Sequence, residues 1–380
     1  MSYYIDFHAL QSTGPANLNR DDSGSPKSTV FGGTRRARVS SQSWKRAIRR
    51  EFEELVDPAE LGERTLRAVE RIAASIVEQD PEYAAEAETM AVEVLKAAGL
   101  KMAKPKKSKD GDMAPAKPLT EYLVFLGRSQ IEALAALAID AYANNDGKFD
   151  KKLVKQAFTD DHAYDVALFG RMIADAPDLN ADACCQVAHA ISVHPLDAEF
   201  DYFTAVDDNA PEDNAGAGMI GTLEFNSSTY YRYATINVPA LIANLGSAEA
   251  AAKALAAFTR AFAVSMPTGK QNTFANRTRP EFFAVSIRED QPVSFVDAFE
   301  DAITAQSGRM TEAVTRLAEY AANADAAYGS QPNTRYLATG SAVKATNLDD
   351  FGEKATLDEL VAFAEAAAGS DTGATDSEDV

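Results

Sequence analysis

The chain has 380 residues, with 37 Lys and Arg against 57 Asp and Glu, and a formal net charge of −20. That length can bury a large core in two or three structural units, and no apolar run approaches the roughly 18 residues of a membrane helix, so no membrane role is expected. The neighbouring Cys184 and Cys185 suit reduced core thiols in a cytoplasm, and His8, His162, His189 and His194 complete no ligand or nucleophile motif; no metal, cofactor or catalytic residue is expected.

Ile5, Phe7 and Ala9 alternate with Tyr4, Asp6 and His8, which predicts a half-buried strand. A loop rich in Asn, Asp, Gly, Ser and Pro follows, to about Gly33. Arg36, Ala37, Arg38 and Val39 alternate weakly, and Ser40 or Ser41 can cap a helix that runs to about Val56. On that helix Trp44, Ala47, Ile48, Phe52 and Leu55 share one face, which leaves Lys45, Arg46, Arg49 and Arg50 on the opposite arc. The first 50 residues hold nine Lys and Arg against three acids, a surplus of +6, while residues 51–380 carry −26. Cations gathered beside glycines and hydroxyls in so acidic a chain point to a negative ligand, and a phosphate backbone fits.

Residues 59–181 read as a helical insertion, clearest from Tyr122 to Ala143, and contain a lysine-rich loop at 101–118. Strand character returns at Cys185–Val193 and Thr222–Val238. Between them, 194–222 reads as a protruding hairpin with an acidic, glycine-rich tip. An alanine-rich helix from about Pro239 to Val264, a turn at 266–275, a strand at Phe282–Ile287, two further helical stretches and a disordered acidic tail at 369–380 complete the order.

The blocks N-L-N-R-D-D at 17–22, P-K at 26–27 and F-G-G-T-R-R-A-R-V-S-S-Q-S-W-K-R-A at 31–47 resemble the N-terminal signature of the CasC family. These are the backbone subunits of type I-E CRISPR Cascade complexes, within the repeat-associated RNA-binding superfamily. Similar blocks follow in order: D-V-A-L-F-G-R-M at 165–172, A-H-A-I-S-V-H at 188–194, D-Y-F-T-A-V-D-D at 201–208, Y-Y-R-Y-A-T-I-N at 230–237 and G-K-Q at 269–271. The resemblance implies an α+β fold: a ferredoxin-like, RRM-like palm (1–58, 182–193, 223–368), helical fingers (59–181) and a β-hairpin thumb (194–222). It implies a non-catalytic protein that polymerises along a CRISPR guide RNA and holds it for pairing with a target DNA strand. The thumb of each copy would reach its neighbour and displace a base at intervals. Neighbouring copies and the large, small and end-capping Cascade subunits are the implied partners.

A protein that accepts any guide sequence grips phosphates and sugars and leaves base edges free. Lys27, Lys45 and Arg49 are the leading phosphate ligands, with Arg20, Arg46 and Arg50 next, and Ser40 to Gln42 supply amides and side-chain hydrogen bonds at a helix start. Alternatively, Arg35, Arg36 and Arg38 pair with the protein's many carboxylates. The resemblance places Arg171 and Met172 beside the flipped nucleotide, with Ile220 as a second wedge, against ordinary core packing for Met172. It places Lys270 and Gln271 near the RNA, or in a turn whose lysine faces water. It sets Lys151, Lys152 and Lys155 against target DNA, a spacing equally consistent with a solvated helix face. Asp21 and Asp22 raise a second reading, an RNA-guided endoribonuclease, since related type III subunits cut RNA with an aspartate in a corresponding palm loop. They read more simply as loop formers or as partners of arginines on a neighbouring copy. An unrelated acidic α+β enzyme is the third reading.

Overall fold

A computed structural model describes residues 3–104, 117–205 and 219–369. The expected lysine-rich loop, thumb tip and acidic tail therefore lie largely outside the described residues. The chain forms two compact units, one of Met1–Phe52, Gln186–Asn237 and Leu255–Val380 and one of Glu53–Cys185 and Val238–Ala254.

The strands, in chain order, are β1 (Tyr4–Ala16), β2 (Ser28–Phe31), β3 (Thr34–Val39), β4 (Gly62–Thr65), β5 (Val124–Gly127), β6 (Cys185–Val187), β7 (Ala190–Ser192), β8 (Glu199–Ala205), β9 (Met219–Asn237), β10 (Phe282–Arg288), β11 (Asn333–Ala338) and β12 (Glu353–Lys354). The helices are α1 (Ser41–Leu55), α2 (Ala68–Gln79), α3 (Ala87–Ala97), α4 (Arg128–Asn144), α5 (Lys151–Thr159), α6 (Tyr164–Phe169), α7 (Val238–Leu245), α8 (Ala248–Val264), α9 (Gln271–Phe274), α10 (Arg309–Tyr328), α11 (Leu348–Phe351) and α12 (Leu357–Ala366).

In the first unit the sheet order is β12-β11-β10-β1-β9-β7-β3-β2, with β6 and β8 also pairing to β9. β1 lies antiparallel between β10 and β9, with Phe7 opposite Val285 on one side and Ala234 on the other. The succession β1, α1, β7, β9, α8, β10 in the sheet order β10-β1-β9-β7 is the ferredoxin-like arrangement, and the α+β expectation is met.

Both faces of this sheet are covered. On one, Phe7 packs against Phe258 and Phe262 of α8, and Arg232 lies over Trp44 of α1. On the other, His8, Leu10, Tyr231 and Tyr233 lie under Phe295, Phe299, Ile303 and α10. The half-buried reading of β1 is thus corrected: Asp6 and His8 are fully buried. They are tolerated because Asp6 accepts from Tyr233 Oη and the Val293 amide and pairs with Arg288, while His8 Nδ1 bonds Tyr231 Oη at 2.9 Å. The RRM-like expectation narrows accordingly. An RRM stacks bases on an open sheet face, and here neither central face is open, which leaves the sheet's edges and loops for a ligand.

The N-terminal loop also contains a strand that composition hid. β2 and β3 form a hairpin whose turn residues Gly32 and Gly33 have φ of 55° and 71°, values that favour glycine. At Gly32 a Cβ would lie 1.8 Å from the Glu300 carbonyl oxygen, so this glycine permits a close approach between two segments of the protein itself. The expected helix from Pro239 to Val264 is two, α7 and α8, broken at Gly246 with φ 71°.

The second unit packs α2, α3, α4 and α5 around Ile72, Val94, Leu134 and Phe158. The pair β4 and β5 joins them, so Val124–Gly127 is strand and the helix expected from Tyr122 begins at Arg128. Val238–Ala254 belongs to this unit, although the resemblance assigns that segment to the palm.

Candidate nucleic-acid interface

Helix α1 is built as expected at its start. The amides of Ser43 and Trp44 donate to the Ser40 carbonyl, and Ser43 N also reaches Ser40 Oγ at 3.4 Å, so Ser40 is the cap. Trp44, Ala47, Ile48 and Phe52 are buried, whereas Leu55 is exposed at the helix end. Gln42, Lys45 and Arg49 form a stripe at i, i+3 and i+7, while Arg46 and Arg50 point further outward. Burying Trp44, Ile48 and Phe52 contributes about 2 kcal/mol or more each. The like-charged pairs Lys45/Arg49 and Arg46/Arg50 cost a few tenths of a kcal/mol each. The helix tolerates this charge easily, and gains no stability from it.

The loop before it is tied to the helix start. Asn19 Oδ1 accepts from the Ser40 amide at 2.9 Å, and the Asn19 carbonyl accepts from Lys27 N at 2.8 Å. The Lys27 carbonyl in turn takes the Arg38 amide. Asn17 Nδ2 donates to the carbonyls of Gly24 and Glu224. Gly269 presses on the same loop: a Cβ there would lie 2.2 Å from the Leu18 carbonyl oxygen, which sets Lys270 and Gln271 beside it. The structure thus brings together Arg20, Lys27, Ser40, Gln42, Lys45, Arg46, Arg49, Arg50, Lys270 and Gln271 within one unit. Among the described residues no carboxylate forms an ion pair with Arg20, Lys27, Arg46, Arg50 or Lys270.

The expected helix-start amides are partly committed. The Ser41 amide donates to His189 Nδ1 at 3.1 Å, and Arg38 lies 3.4 Å from the same nitrogen. Partial burial, then the charges of Arg38 and Lys27, hold the His189 ring below its ordinary pKa, which keeps Nδ1 an acceptor. His189 is not among the expected site residues, although it lies in the A-H-A-I-S-V-H block at 188–194 and in the strand-like 185–193 run.

Arg36 corrects the carboxylate-pairing alternative. It is buried in β3 and donates to the carbonyls of Ser192, Phe299 and Glu300. Asp21 Oδ1 accepts from the amides of Ser23 and Ser25 and from Ser23 Oγ, and these bonds, led by Ser23 Oγ, lower its pKa; the carboxylate shapes the loop. Asp22 is exposed. Among the described residues no three His, Cys, Asp or Glu are grouped as a metal would need.

Arg171 and Met172 lie in the second unit. Arg171 is 4% exposed and donates to the carbonyls of Leu179, Phe125 and Phe158 and to Gln130 Oε1. Its expected role in binding RNA is corrected: the guanidinium is spent on the fold, and burial lowers its pKa to about 10. Met172 is 80% exposed, so core packing is excluded. It is flanked by Arg171, whose backbone exchanges hydrogen bonds with Ala181, and by Ile173, which is buried with its amide on Asn180 Oδ1.

On α5, Lys151 and Lys152 are exposed after the Asp150 cap, whereas Lys155 pairs with Asp178 at 2.5 Å. In the hairpin expected as the thumb, β8 pairs with Met219–Phe225 of β9, with Ile220 opposite Thr204. Phe200, Tyr202 and Phe203 of β8 are exposed, Phe200 and Tyr202 on one face. The F-D-Y-F alternation could have marked them.

The model of the CT1975-like protein family matches residues 5–363. A chain of a pre-nicking CRISPR RNA-guided surveillance complex is 35% identical, with a TM-score of 0.85 over 96% of this chain and 100% of that one. A chain of another CRISPR RNA-guided surveillance complex is 30% identical, with a TM-score of 0.74 over 96% and 99%. Comparison with curated proteins gives no match. No helix among the described residues is long and apolar enough to cross a membrane. With a match that runs nearly the whole length of the sequence, the chain belongs to the CT1975-like protein family.

Proposed function

We propose that the protein is the guide-RNA-binding backbone subunit of a type I-E Cascade complex. Copies assemble along one CRISPR RNA in the cytoplasm, grip its phosphates, displace bases at intervals and present the rest to a target DNA strand. The large, small and end-capping subunits complete the particle, and a separate recruited nuclease cuts DNA. The observation that carries this reading is that exposed Arg20, Arg46 and Arg50 and half-buried Lys27 and Lys270 have no carboxylate ion pair among the described residues, in a chain of charge −20. Electrostatic logic in so acidic a protein pairs such cations unless a ligand uses them. The likeness to chains of RNA-guided surveillance complexes supports the nature of that ligand.

Arg20, Lys27, Lys45, Arg46, Arg49, Arg50 and Lys270 would hold phosphates, with Ser40, Gln42 and Gln271 as hydrogen-bonding neighbours. Met172 and Ile220 would wedge the displaced base, an unbranched polarizable side chain suiting bases of any identity. Lys151 and Lys152 would touch the target-strand backbone, with Lys155 released from Asp178 to join them. No residue is assigned a catalytic role. A salt titration of single-stranded RNA binding tests the reading. Each cation removed by Lys27→Ala or Arg46→Ala should flatten the slope of log K against log salt by roughly 0.7 for every RNA sequence alike. Unchanged slopes would overturn the site.

A further inference from the structure

A polar chain runs beneath the proposed interface, within the first unit. The Arg232 guanidinium lies 3.7 Å above the Trp44 ring and 4.4 Å from the Phe262 ring, fully enclosed and with no carboxylate ion pair among the described residues. One terminal nitrogen donates to the Phe262 carbonyl at 2.6 Å and the other to Gln11 Oε1 at 2.6 Å. Gln11, itself 1% exposed, donates through Nε2 to the Thr278 carbonyl at 2.9 Å and to Thr278 Oγ1 at 3.2 Å. Trp44 belongs to the helix that carries the cations, and Thr278 closes the loop that carries Lys270 and Gln271.

We propose that Gln11 is a positioning residue. Its amide locks the 266–278 loop to the Arg232–Trp44 stack and so fixes Lys270 and Gln271 relative to the cations of α1. The proposal rests on the RNA-binding reading of those two elements. A carboxamide meets both demands, since its oxygen accepts from Arg232 while its nitrogen donates to Thr278. A carboxylate would satisfy Arg232 alone. The loop needs such a lock because Lys270 and Ala275, at either end of α9, have φ of 51° and 50°, conformations that non-glycine residues hold only when their surroundings impose them. The contact of Gly269 with Leu18 and the bond from Asn276 Nδ2 to the Gly269 carbonyl fix the loop's near end. Gln11 fixes its far end. A buried, uncompensated guanidinium is a poor way to stabilise a core, and an apolar side chain would serve stability as well; what the polar chain supplies is registration.

The test uses the full chain and a labelled single-stranded RNA of mixed sequence, with Gln11→Leu, Gln11→Glu and Lys270→Ala alone and crossed. In the RNA-free protein, amide exchange in 266–278 should accelerate in both Gln11 variants while Trp44–Phe52 stays protected. RNA affinity should fall about fivefold in each, and Lys270→Ala should cost little further in those backgrounds. Gln11→Glu keeps the shape and the Arg232 contact, so it carries the test if Gln11→Leu fails to fold. Unchanged exchange in the loop, or a Lys270→Ala loss equal with and without Gln11, would overturn the proposal. Wild-type protein that binds no RNA would remove the functional reading, and the exchange comparison would then decide the lock by itself.

Discussion

The α1 edge of the first unit and the Arg171–Met172 turn of the second use arginine in opposite ways. On α1, Arg46 and Arg50 stand exposed with no carboxylate partner among the described residues, and Trp44, Ala47, Ile48 and Phe52 of the same helix are buried beneath them. At the turn, Arg171 is buried and grips four oxygens, so that an apolar side chain, Met172, is what solvent meets. Residue type alone does not assign a ligand. Burial and the saturation of donors decide whether a guanidinium serves a phosphate or its own fold.

Substitutions can break that contrast. The largest effect is expected at Arg171, because Arg171→Ala removes a buried donor from the carbonyls of Leu179, Phe125 and Phe158 and leaves the last to Gln130 Nε2. A loss of about 3 kcal/mol or more should appear in denaturant unfolding, and a variant of wild-type stability would show that the network is ornamental. Next comes Lys27→Glu with Arg46→Glu, expected to weaken RNA binding by about a hundredfold at low salt with Tm nearly unchanged. A fall in Tm without a change in affinity would reverse the roles assigned to the two regions.

Acid probes the first unit's core. His194 donates through Nδ1 to the Pro195 carbonyl and accepts the Thr229 amide at Nε2, and burial is the main reason its pKa falls to about 4. The unfolded chain takes up this proton first, so the contribution of His194 is complete above pH 6.5 and is lost as pH falls toward 4. His8, lowered to about 3 by burial, acts in the same direction. Asp6, raised to about 6 by burial, opposes them: it holds its proton in the folded state and adds stability as pH falls from about 6 toward 3.8. Wild type should lose about 2 kcal/mol across this window through His194, and His194→Gln should flatten the profile; identical profiles would refute the assignment. The smallest effect on stability is expected for Met172→Ala, within about 0.5 kcal/mol because the side chain is exposed, together with weaker displacement of a fluorescent base analogue placed along the bound RNA. An unchanged analogue signal would remove Met172 from the wedge.

Much of the first unit could be read from sequence where a local signal was sufficient. Ser40 before a 3.6-residue apolar period fixed the start of α1, and the length of the Phe282 strand followed from its apolar run. The misreadings arose where a distant segment decides the outcome. Asp6 and His8 read as solvent-facing because alternation cannot reveal that residues 293–303 and Arg288 close over the second face. β2 was lost among turn-forming residues because its pairing to β3, and not its composition, makes it a strand. Arg171 read as a ligand because the oxygens it holds come from residues up to 46 positions away.

The central claim is tested most directly by purifying the protein expressed with a CRISPR repeat array and its partner subunits, measuring the 260/280 nm absorbance ratio and sequencing the RNA that accompanies it. The account predicts RNA of guide length in a large particle. A monodisperse monomer free of nucleic acid, which also fails to bind added RNA at low salt, would contradict it.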